Sequence, residues 1–300
     1  MAFLMIGFAA CDVIEEPYKK DNNGNNPGGG NENPEVVKKH VLLEDYTGVK
    51  CPNCPAAGEL ALDLQEQYGH DLIVLSVHAG GMSSPVGGFP NFLTNDGTAW
   101  YTHFGFDSNP VGTVNRKLNG GTYGFQSTEW TEAVAATMQE EAIVEMTSDI
   151  EYNASNRNLK VDITSKALAE MPNTYSLVVC IMEDSIVGKQ IINGVGTVDD
   201  FMHRHVFRGT INGTWGEDIN TTAIAPGDEI KKSYKEALNK LNTLTYEEMN
   251  EIIGILNAKS YFRLDNHDRE NVMQNAVTSA YMVPDTVKAD TLFRNMRKER

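Results

Sequence analysis

The stretch Cys51-Pro52-Asn53-Cys54 lies between an apolar run at residues 41–43 and a segment with helical periodicity at residues 55–68. Two cysteines with this spacing at the N-terminus of a helix can close a small disulfide ring. The free N–H groups and the partial positive charge of the helix N-terminus favour the thiolate form of Cys51. Because a thiolate is the species that attacks another disulfide, this stretch predicts thiol–disulfide chemistry.

The residues around the cysteine pair predict a strand–helix–strand unit. Residues 41–46 are strand-like, and the following helix presents one apolar face and ends before Gly69. Residues 72–78 are almost continuously apolar, as in a parallel strand that is buried on both faces. A cysteine pair that opens the helix of such a unit is typical of a thioredoxin-like redox motif.

The segment from Asp45 to Cys54 resembles the active-site segment of the thioredoxin superfamily. The resemblance implies that Cys51 is the attacking thiolate, that Cys54 is the resolving thiol, and that Asp45 assists proton transfer to or from Cys54. It also implies a cis-proline that faces the pair and shapes the substrate groove. Pro110 is the candidate, because the bond between Asn109 and Pro110 is of the X–Pro type that adopts the cis form at modest cost.

Beyond residue 147 the sequence pattern changes from helical to strand-like. Residues 149–153 and 159–164 alternate between apolar and polar side chains on either side of a turn, and residues 175–182 continue the strand-like pattern. Several short strands separated by turns predict an antiparallel β-sandwich. The predicted fold is an α/β thioredoxin-like domain at residues 37–147, an antiparallel β-sandwich domain at residues 148–285 and a C-terminal tail at residues 286–300.

The N-terminal region has the features of an export and lipidation signal. Residues 3–10 are apolar and end in small residues directly before Cys11, which resembles a bacterial lipobox. Residues 21–34 have nothing apolar to bury and predict a flexible tether. We therefore expect a lipoprotein signal at residues 1–11, a disordered tether at residues 12–36 and attachment to a membrane through lipid on Cys11. The alternative is a frayed apolar tail.

Composition and charge limit the classes of partner. The chain has 300 residues and a formal net charge of -16, with 41 acidic and 25 basic side chains. Nucleic-acid binding requires clustered Lys and Arg side chains, so the sequence argues against a nucleic-acid partner. Export would place the cysteine pair in a compartment where disulfides persist. Cys180 lies in an apolar run and is expected to be a buried apolar side chain.

A second resemblance concerns most of residues 37–280. The phrase Met-His-Arg-His-Val-Phe-Arg-Gly-Thr-Ile-Asn-Gly-Thr-Trp-Gly at residues 202–216, together with the segments around Cys51 and Pro110, resembles the lipoproteins related to the 28-kDa outer membrane protein (Omp). The resemblance implies an outer-membrane lipoprotein with a thioredoxin-like domain followed by a β-sandwich. It leaves the periplasmic or the surface face open, and it indicates location more than activity.

His203 and His205 are weak candidates for a metal site. Because they are two residues apart, they would face the same side of a strand, as two ligands of one metal ion could. No third ligand with matching spacing is present in the sequence. The sequence therefore favours structural histidines, and we predict neither a metal nor any other cofactor.

Two functions remain open at this point. The first is an exported thiol–disulfide oxidoreductase whose partners are envelope proteins with cysteines. The second is a non-catalytic binding or scaffold lipoprotein in which Cys51 and Cys54 form a permanent disulfide, since one fold can serve many functions. A metal-binding module that uses His203 and His205, or the two thiols, is a weaker third possibility.

Overall fold

A computed structural model of the chain describes residues 37–153, 158–237, 249–258 and 276–281. The predicted signal with its lipid site Cys11, the predicted tether at residues 12–36 and the predicted tail at residues 286–300 lie outside the described residues.

The described elements alternate between strands and helices at first and are strands thereafter. In chain order they are β1 (Val41–Thr47), α1 (Cys54–Tyr68), β2 (Leu72–His78), α2 (Asn95–His103), β3 (Val111–Val114), α3 (Trp130–Met138), β4 (Val144–Asn153), β5 (Asn158–Ala167), β6 (Tyr175–Glu183), β7 (Ile186–Ile192), β8 (Gly196–His203), β9 (Val206–Thr210), β10 (Glu217–Asp218), β11 (Glu229–Ala237), β12 (Met249–Ala258) and β13 (Ala276–Tyr281). The predicted strand–helix–strand unit around the cysteines is confirmed by β1, α1 and β2.

The main sheet has the strand order β13-β12-β6-β9-β2-β1-β3, and β10 pairs with β6. Strands β1 and β2 are parallel, whereas β3 runs antiparallel to β1. Strands β11, β5 and β4 form a second, antiparallel sheet, and β7 and β8 form a separate two-stranded hairpin. The described residues therefore form a mixed α/β structure with several antiparallel sheets, which is compatible with the predicted β-sandwich.

Strands from both sides of residue 147 belong to the main sheet. Ser76 of β2 pairs with Val206 of β9, and the backbone N–H of Ser76 donates a hydrogen bond of 2.8 Å to the carbonyl of His205. Strand β9 in turn pairs antiparallel with β6. The main sheet thus crosses the sequence position at which the two predicted domains meet, and the described residues from Val37 onward belong to one compact unit.

Three apolar clusters hold these layers together. Helices α1 and α3 cover one face of β1 and β2, and α2 covers the other face, where Trp100 stacks on Phe207 at 4.7 Å between ring centroids. Alternate residues of β5 are buried against β6, as expected for two sheets packed face to face. Gly112 allows α3 to approach β3, because a Cβ there would lie 2.5 Å from the indole nitrogen of Trp130. Among the described residues, no helix has the length and apolar character needed to cross a bilayer.

Candidate functional site

The cysteine pair lies where the parallel strands β1 and β2 end. The chain leaves β1 at Thr47, turns tightly so that the N–H of Cys51 donates to the carbonyl of Gly48 at 3.0 Å, and enters α1 at Cys54. Cys51 and Cys54 form a disulfide. Pro55 follows in the first turn of α1, where its missing N–H is not needed. The local sequence thus places the disulfide at the N-terminus of a helix.

The predicted proline lies beside this disulfide. The Asn109–Pro110 peptide bond is cis, and the carbonyl oxygen of Asn109 is 3.6 Å from Sγ of Cys51. The Asn109 side-chain amide donates to the carbonyls of Thr47 at 3.0 Å and Ala79 at 2.9 Å. These two bonds tie the proline loop to the ends of β1 and β2, so the fold fixes the loop against Cys51.

Asp45 is buried in the interior on the same side of the sheet as α1. Asp45 is 2% exposed, and its Oδ1 atom has no hydrogen-bond partner among the described residues. Burial raises the pKa of Asp45 from its ordinary 3.8 to about 7. A carboxyl group with this pKa can both give and take a proton near neutral pH.

Asp45 and Cys54 line a common cavity with a volume of about 60 Å³. The cavity lies between α1, the ends of β1 and β2, and the β7–β8 hairpin with the residues that follow it. Its polar and charged lining residues include Asp45, Glu59, His78, His203, Arg204 and His205. The structure therefore brings together Cys51, Cys54, Asp45 and Pro110 at one end of the sheet, with a histidine cluster next to them.

The two predicted histidine candidates both line this cavity. His203 ends β8, and His205 follows with a backbone φ of 53°, so the strand alternation assumed from the sequence is interrupted between them. Burial lowers the pKa of His203 to about 4, and it also lowers the pKa of His205. In the ranges that the structure describes, no group of three or more His, Cys, Asp or Glu side chains is placed to hold a metal ion.

The hairpin formed by β7 and β8 is not among the elements predicted from the sequence. Its Gln190 side chain donates to the carbonyls of Gly48 at 3.3 Å and Cys51 at 3.1 Å. The backbone N–H of Ile191 donates to Val49, and that of Asn193 donates to Pro52 at 2.9 Å. The dipeptide Asn193-Gly194, flanked by strand-like runs, is a strong hairpin signal and could have predicted this element.

The hairpin and the surrounding loops leave the disulfide little exposed. Cys51 is 2% exposed and Cys54 is 3% exposed. An external thiol or disulfide must reach a sulfur atom to react with it. Any exchange at this site therefore requires the hairpin or the neighbouring loops to move.

The fold and site define a mixed α/β protein with a buried disulfide at a helix N-terminus, next to a cis-proline and a buried carboxyl group. The family described as Outer membrane protein Omp28 matches residues 97–280, which is more than half of the chain. This chain belongs to that family, whose name suggests the outer membrane as its location. A comparison with curated proteins gives no match.

Among solved structures, HBP35 of Porphyromonas gingivalis is similar in fold, with a TM-score of 0.61 and 16% sequence identity over 82% of this chain and 76% of that chain. A structural-genomics protein from Agrobacterium tumefaciens has a TM-score of 0.48 and 14% identity, over 84% of this chain and 96% of that one. The sporulation control protein Spo0M from Bacillus subtilis has a TM-score of 0.26 and 12% identity, over 47% of this chain and 48% of that chain. At these identities the first likeness concerns the fold alone.

Proposed function

We propose that this protein is an outer-membrane lipoprotein that performs thiol–disulfide exchange through Cys51 and Cys54. In this proposal residues 37–147 are a thioredoxin-like domain, residues 148–285 are a β-sandwich, and lipid on Cys11 anchors the chain to the membrane. The family assignment supports the location. The parallel pair β1 and β2, joined through α1, supports the thioredoxin-like assignment. The packing of β5 against β6 supports the sandwich.

The exchange step assigns one role to each sulfur. When the pair is reduced, the Cys51 thiolate attacks a disulfide of an envelope protein, forms a bond to one sulfur and releases the other as a thiolate. Cys54 then loses its proton to Asp45 and attacks Cys51 Sγ. This second attack forms the Cys51–Cys54 disulfide and releases the partner with both its cysteines reduced. Two electrons pass from this protein to its partner.

The observation that carries the proposal is that the cis-proline loop and a buried carboxyl group both lie next to the disulfide. The Asn109 carbonyl beside Pro110 contacts Cys51, while the buried Asp45 shares a cavity with Cys54. A permanent structural disulfide does not need a carboxyl group with a pKa of about 7 beside it. Perturbed carboxyl groups of this kind concentrate at functional sites.

A trapping experiment tests the exchange. In a Cys54→Ser variant, Cys51 can still attack a partner but the mixed disulfide cannot be resolved, so covalent adducts should accumulate in the cell envelope. The matched control is a Cys51→Ser, Cys54→Ser double variant, which cannot form them. We expect adducts that dithiothreitol releases from the single variant only. Adducts absent from both variants, with Cys51 shown to be reduced, would refute the exchange.

Burial of the pair favours a second candidate function. With Cys51 and Cys54 at 2% and 3% exposure, the disulfide could be a permanent cross-link of a binding scaffold. A scaffold should retain the same non-covalent partners in wild type and in the double variant. Loss of all partners from the double variant, with its fold intact, would argue against the scaffold.

The lipid anchor is tested separately. A Cys11→Ala variant should incorporate no labelled palmitate, and it should move from the membrane fraction to the soluble fraction after export. Labelling of the variant to the wild-type level would contradict lipidation at Cys11. A Cys180→Ala variant is the control, because it removes a cysteine that is buried within the fold.

A further inference from the structure

We propose that the β7–β8 hairpin is a hinged lid, which bends at residues 184–185 and 204–205 and must lift before Cys51 and Cys54 can exchange. The lid deepens the proposed function and rests on it, because it assigns to one element the control of access to the reacting disulfide.

The hairpin continues the ladder of β6 and β9 beyond an interruption. The two chain segments pair antiparallel, and they keep one register on both sides of the interruption. The flanking pairs are Glu183 with Val206 and Ile186 with His203. Between them lie residues 184–185 and 204–205, and beyond them β7 and β8 form a sheet of their own. A two-stranded hairpin is marginally stable by itself, so its position depends on its base and on what its far end contacts.

The interruption combines a strained backbone with a side-chain clamp. Ser185 has a φ of 62° and His205 a φ of 53°, one on each strand. Side chains occupy this left-handed region at a cost that extended strand backbone does not carry. The Asp184 carboxylate holds the bend, since it accepts hydrogen bonds from the His205 N–H at 2.9 Å and from Arg204 Nη1 at 3.1 Å. Straightening would relieve the backbone and break the clamp, so these residues can serve as a hinge.

The sheet side of this hinge is fixed. The carbonyl of His205 accepts a hydrogen bond of 2.8 Å from the N–H of Ser76, and Val206 pairs with Ser76 of β2. On the hairpin side, His203 packs against Phe92 with 4.9 Å between ring centroids. This contact lies next to the hinge, so a rotation there moves it little and moves the far end of the hairpin most.

The far end of the hairpin is the part that covers the disulfide. Three of its hydrogen bonds reach the loop that carries Cys51. They run from the N–H of Ile191 to Val49 at 3.0 Å, from the N–H of Asn193 to Pro52 at 2.9 Å and from the Gln190 side chain to Cys51 at 3.1 Å. All three acceptors are backbone carbonyls within residues 49–52. Lifting the hairpin therefore breaks these bonds together and uncovers the loop.

A lid of this kind sets the rate at which thiols reach the pair. With Cys51 and Cys54 at 2% and 3% exposure in the closed state, an external thiol reacts with the fraction of molecules whose lid is open. A change in the closing equilibrium should then change the reduction rate by the same factor. The closed lid protects the disulfide from small thiols in solution.

The test compares two substitutions of Ser185 in the full chain. Ser185→Val places a β-branched side chain at a left-handed position and favours the straightened strand, whereas glycine adopts both conformations. The measurement is the rate of disulfide reduction by dithiothreitol, quenched with iodoacetamide and counted by mass spectrometry. We expect Ser185→Val to react at least about fivefold faster than wild type and Ser185→Gly to be no faster than wild type. Asp200→Ala, an exposed position of β8 away from the hinge, should match wild type.

The two substitutions separate backbone strain from loss of side-chain contacts. Both remove the Ser185 hydroxyl, which accepts from Arg204 Nη1 at 3.4 Å. If that contact alone held the hairpin closed, both variants would react faster. The order valine, then serine, then glycine is expected only where the left-handed backbone of the hinge is what changes.

Amide hydrogen exchange, followed by NMR, measures the opening in wild type without any substitution. The Asn193 amide loses its partner when the lid lifts, whereas the Ser76 amide stays bonded to His205 on the fixed side. We expect Asn193 to be protected at least about tenfold less than Ser76. In Ser185→Val, exchange at Asn193 should accelerate by the same factor as the dithiothreitol reaction, within about twofold, and exchange at Ser76 should not.

The outcomes distinguish the lid from the proposed function. A folded Ser185→Val variant that reacts at the wild-type rate, or a Ser185→Gly variant as fast as it, would overturn the lid and leave the exchange function in place. Equal protection of Asn193 and Ser76 in wild type would do the same. If the hairpin opens as expected but the Cys54→Ser variant traps no partner, the exchange function fails, and the lid fails with it as a control of exchange.

Discussion

Glu44 and Asp45 are consecutive buried carboxyl groups on β1, and strand alternation directs them to opposite faces of the main sheet. On the α2 side, Arg116 donates two hydrogen bonds to Glu44, at 2.8 Å from Nε and 2.6 Å from Nη2. Thr113 adds a third hydrogen bond at 2.6 Å. On the α1 side, the Oδ1 atom of Asp45 has no hydrogen-bond partner within the part of the chain that the structure describes.

The difference shows how one strand can carry a structural and a chemical group side by side. Glu44 is fully compensated, and the Arg116 guanidinium also lies 4.4 Å above the Trp100 ring. A carboxylate whose oxygen atoms already accept hydrogen bonds from a buried guanidinium is poorly suited to take up a proton. Asp45 instead keeps its proton until about pH 7, because burial disfavours its charged form. The uncompensated member of the pair is the one that lines the cavity with Cys54.

The largest expected change in stability comes from removing the counterion of Glu44. Arg116→Met leaves the Glu44 carboxylate buried without its counterion, which should lower the free energy of unfolding by about 4 kcal/mol. Urea denaturation measures the change. The rate of Cys51–Cys54 exchange should stay within about twofold in the folded variant, because Arg116 lies on the other face of the sheet.

A double variant controls this prediction. Removing both charges with Glu44→Met and Arg116→Met should recover most of the lost stability, since a buried ion pair can often be replaced by apolar side chains. If Arg116→Met alone costs less than about 1 kcal/mol, the ion pair is not the structural element that the geometry indicates.

The next largest expected effect is that the free energy of unfolding depends on pH because of the raised pKa of Asp45. The folded protein holds this proton up to about pH 7, whereas the unfolded chain releases it near the ordinary value of 3.8. The folded state therefore binds more protons between these two values, and stability falls as pH rises through this window. For a pKa of about 7, Asp45 should lower the free energy of unfolding by about 2.5 kcal/mol between pH 5 and pH 8.

An Asp45→Asn variant checks the sign and the size of this effect. Its free energy of unfolding should lack the pH dependence that Asp45 causes. The stability of the variant relative to wild type should therefore increase as pH rises from 5 to 8. Thermal or urea unfolding at several pH values gives the comparison. A difference that is constant over this range would show that Asp45 has an ordinary pKa in the folded protein.

Much of the region around the disulfide could be predicted from the sequence because its signals are local. The apolar run at residues 41–46, the helical spacing after Pro55 and the glycine at position 69 each act over a few residues, and the structure confirms the elements that they predict. The cis form of the Asn109–Pro110 bond and the burial of Cys180 are also confirmed.

Other parts of the site depend on distant pairings that no local pattern contains. Gln190 contacts the carbonyl of Cys51 across 139 positions of sequence, and its role follows only from where the hairpin docks. The sequence predicts His78 only as the last residue of a strand. It lines the cavity because β2 pairs with β1 so that His78 lies beside Thr47. The absence of a partner at Asp45 Oδ1 is likewise a three-dimensional property.

A smaller effect should come from loosening the hairpin on the Asp45 face. Gln190→Ala removes the side-chain donor to the Gly48 and Cys51 carbonyls, at a cost of about 1.4 kcal/mol to the closed state. If exchange requires this region to open, dithiothreitol should reduce the disulfide about tenfold faster in the variant. Val187→Ala changes an exposed side chain on the same strand and serves as the control. An unchanged rate in Gln190→Ala would mean that the hairpin does not limit access.

The smallest effect concerns Cys180, which lies on the Glu44 side of the sheet within the apolar cluster around Trp100. It is completely buried and free, and burial raises the pKa of its thiol. Cys180→Ala should therefore lower the free energy of unfolding by about 1 kcal/mol through lost packing and leave exchange unchanged. In native, reduced protein at pH 8, iodoacetamide should modify Cys51 before Cys180. If iodoacetamide modified Cys180 faster than Cys51, the surroundings of the two thiols would not control their reactivity in the way proposed.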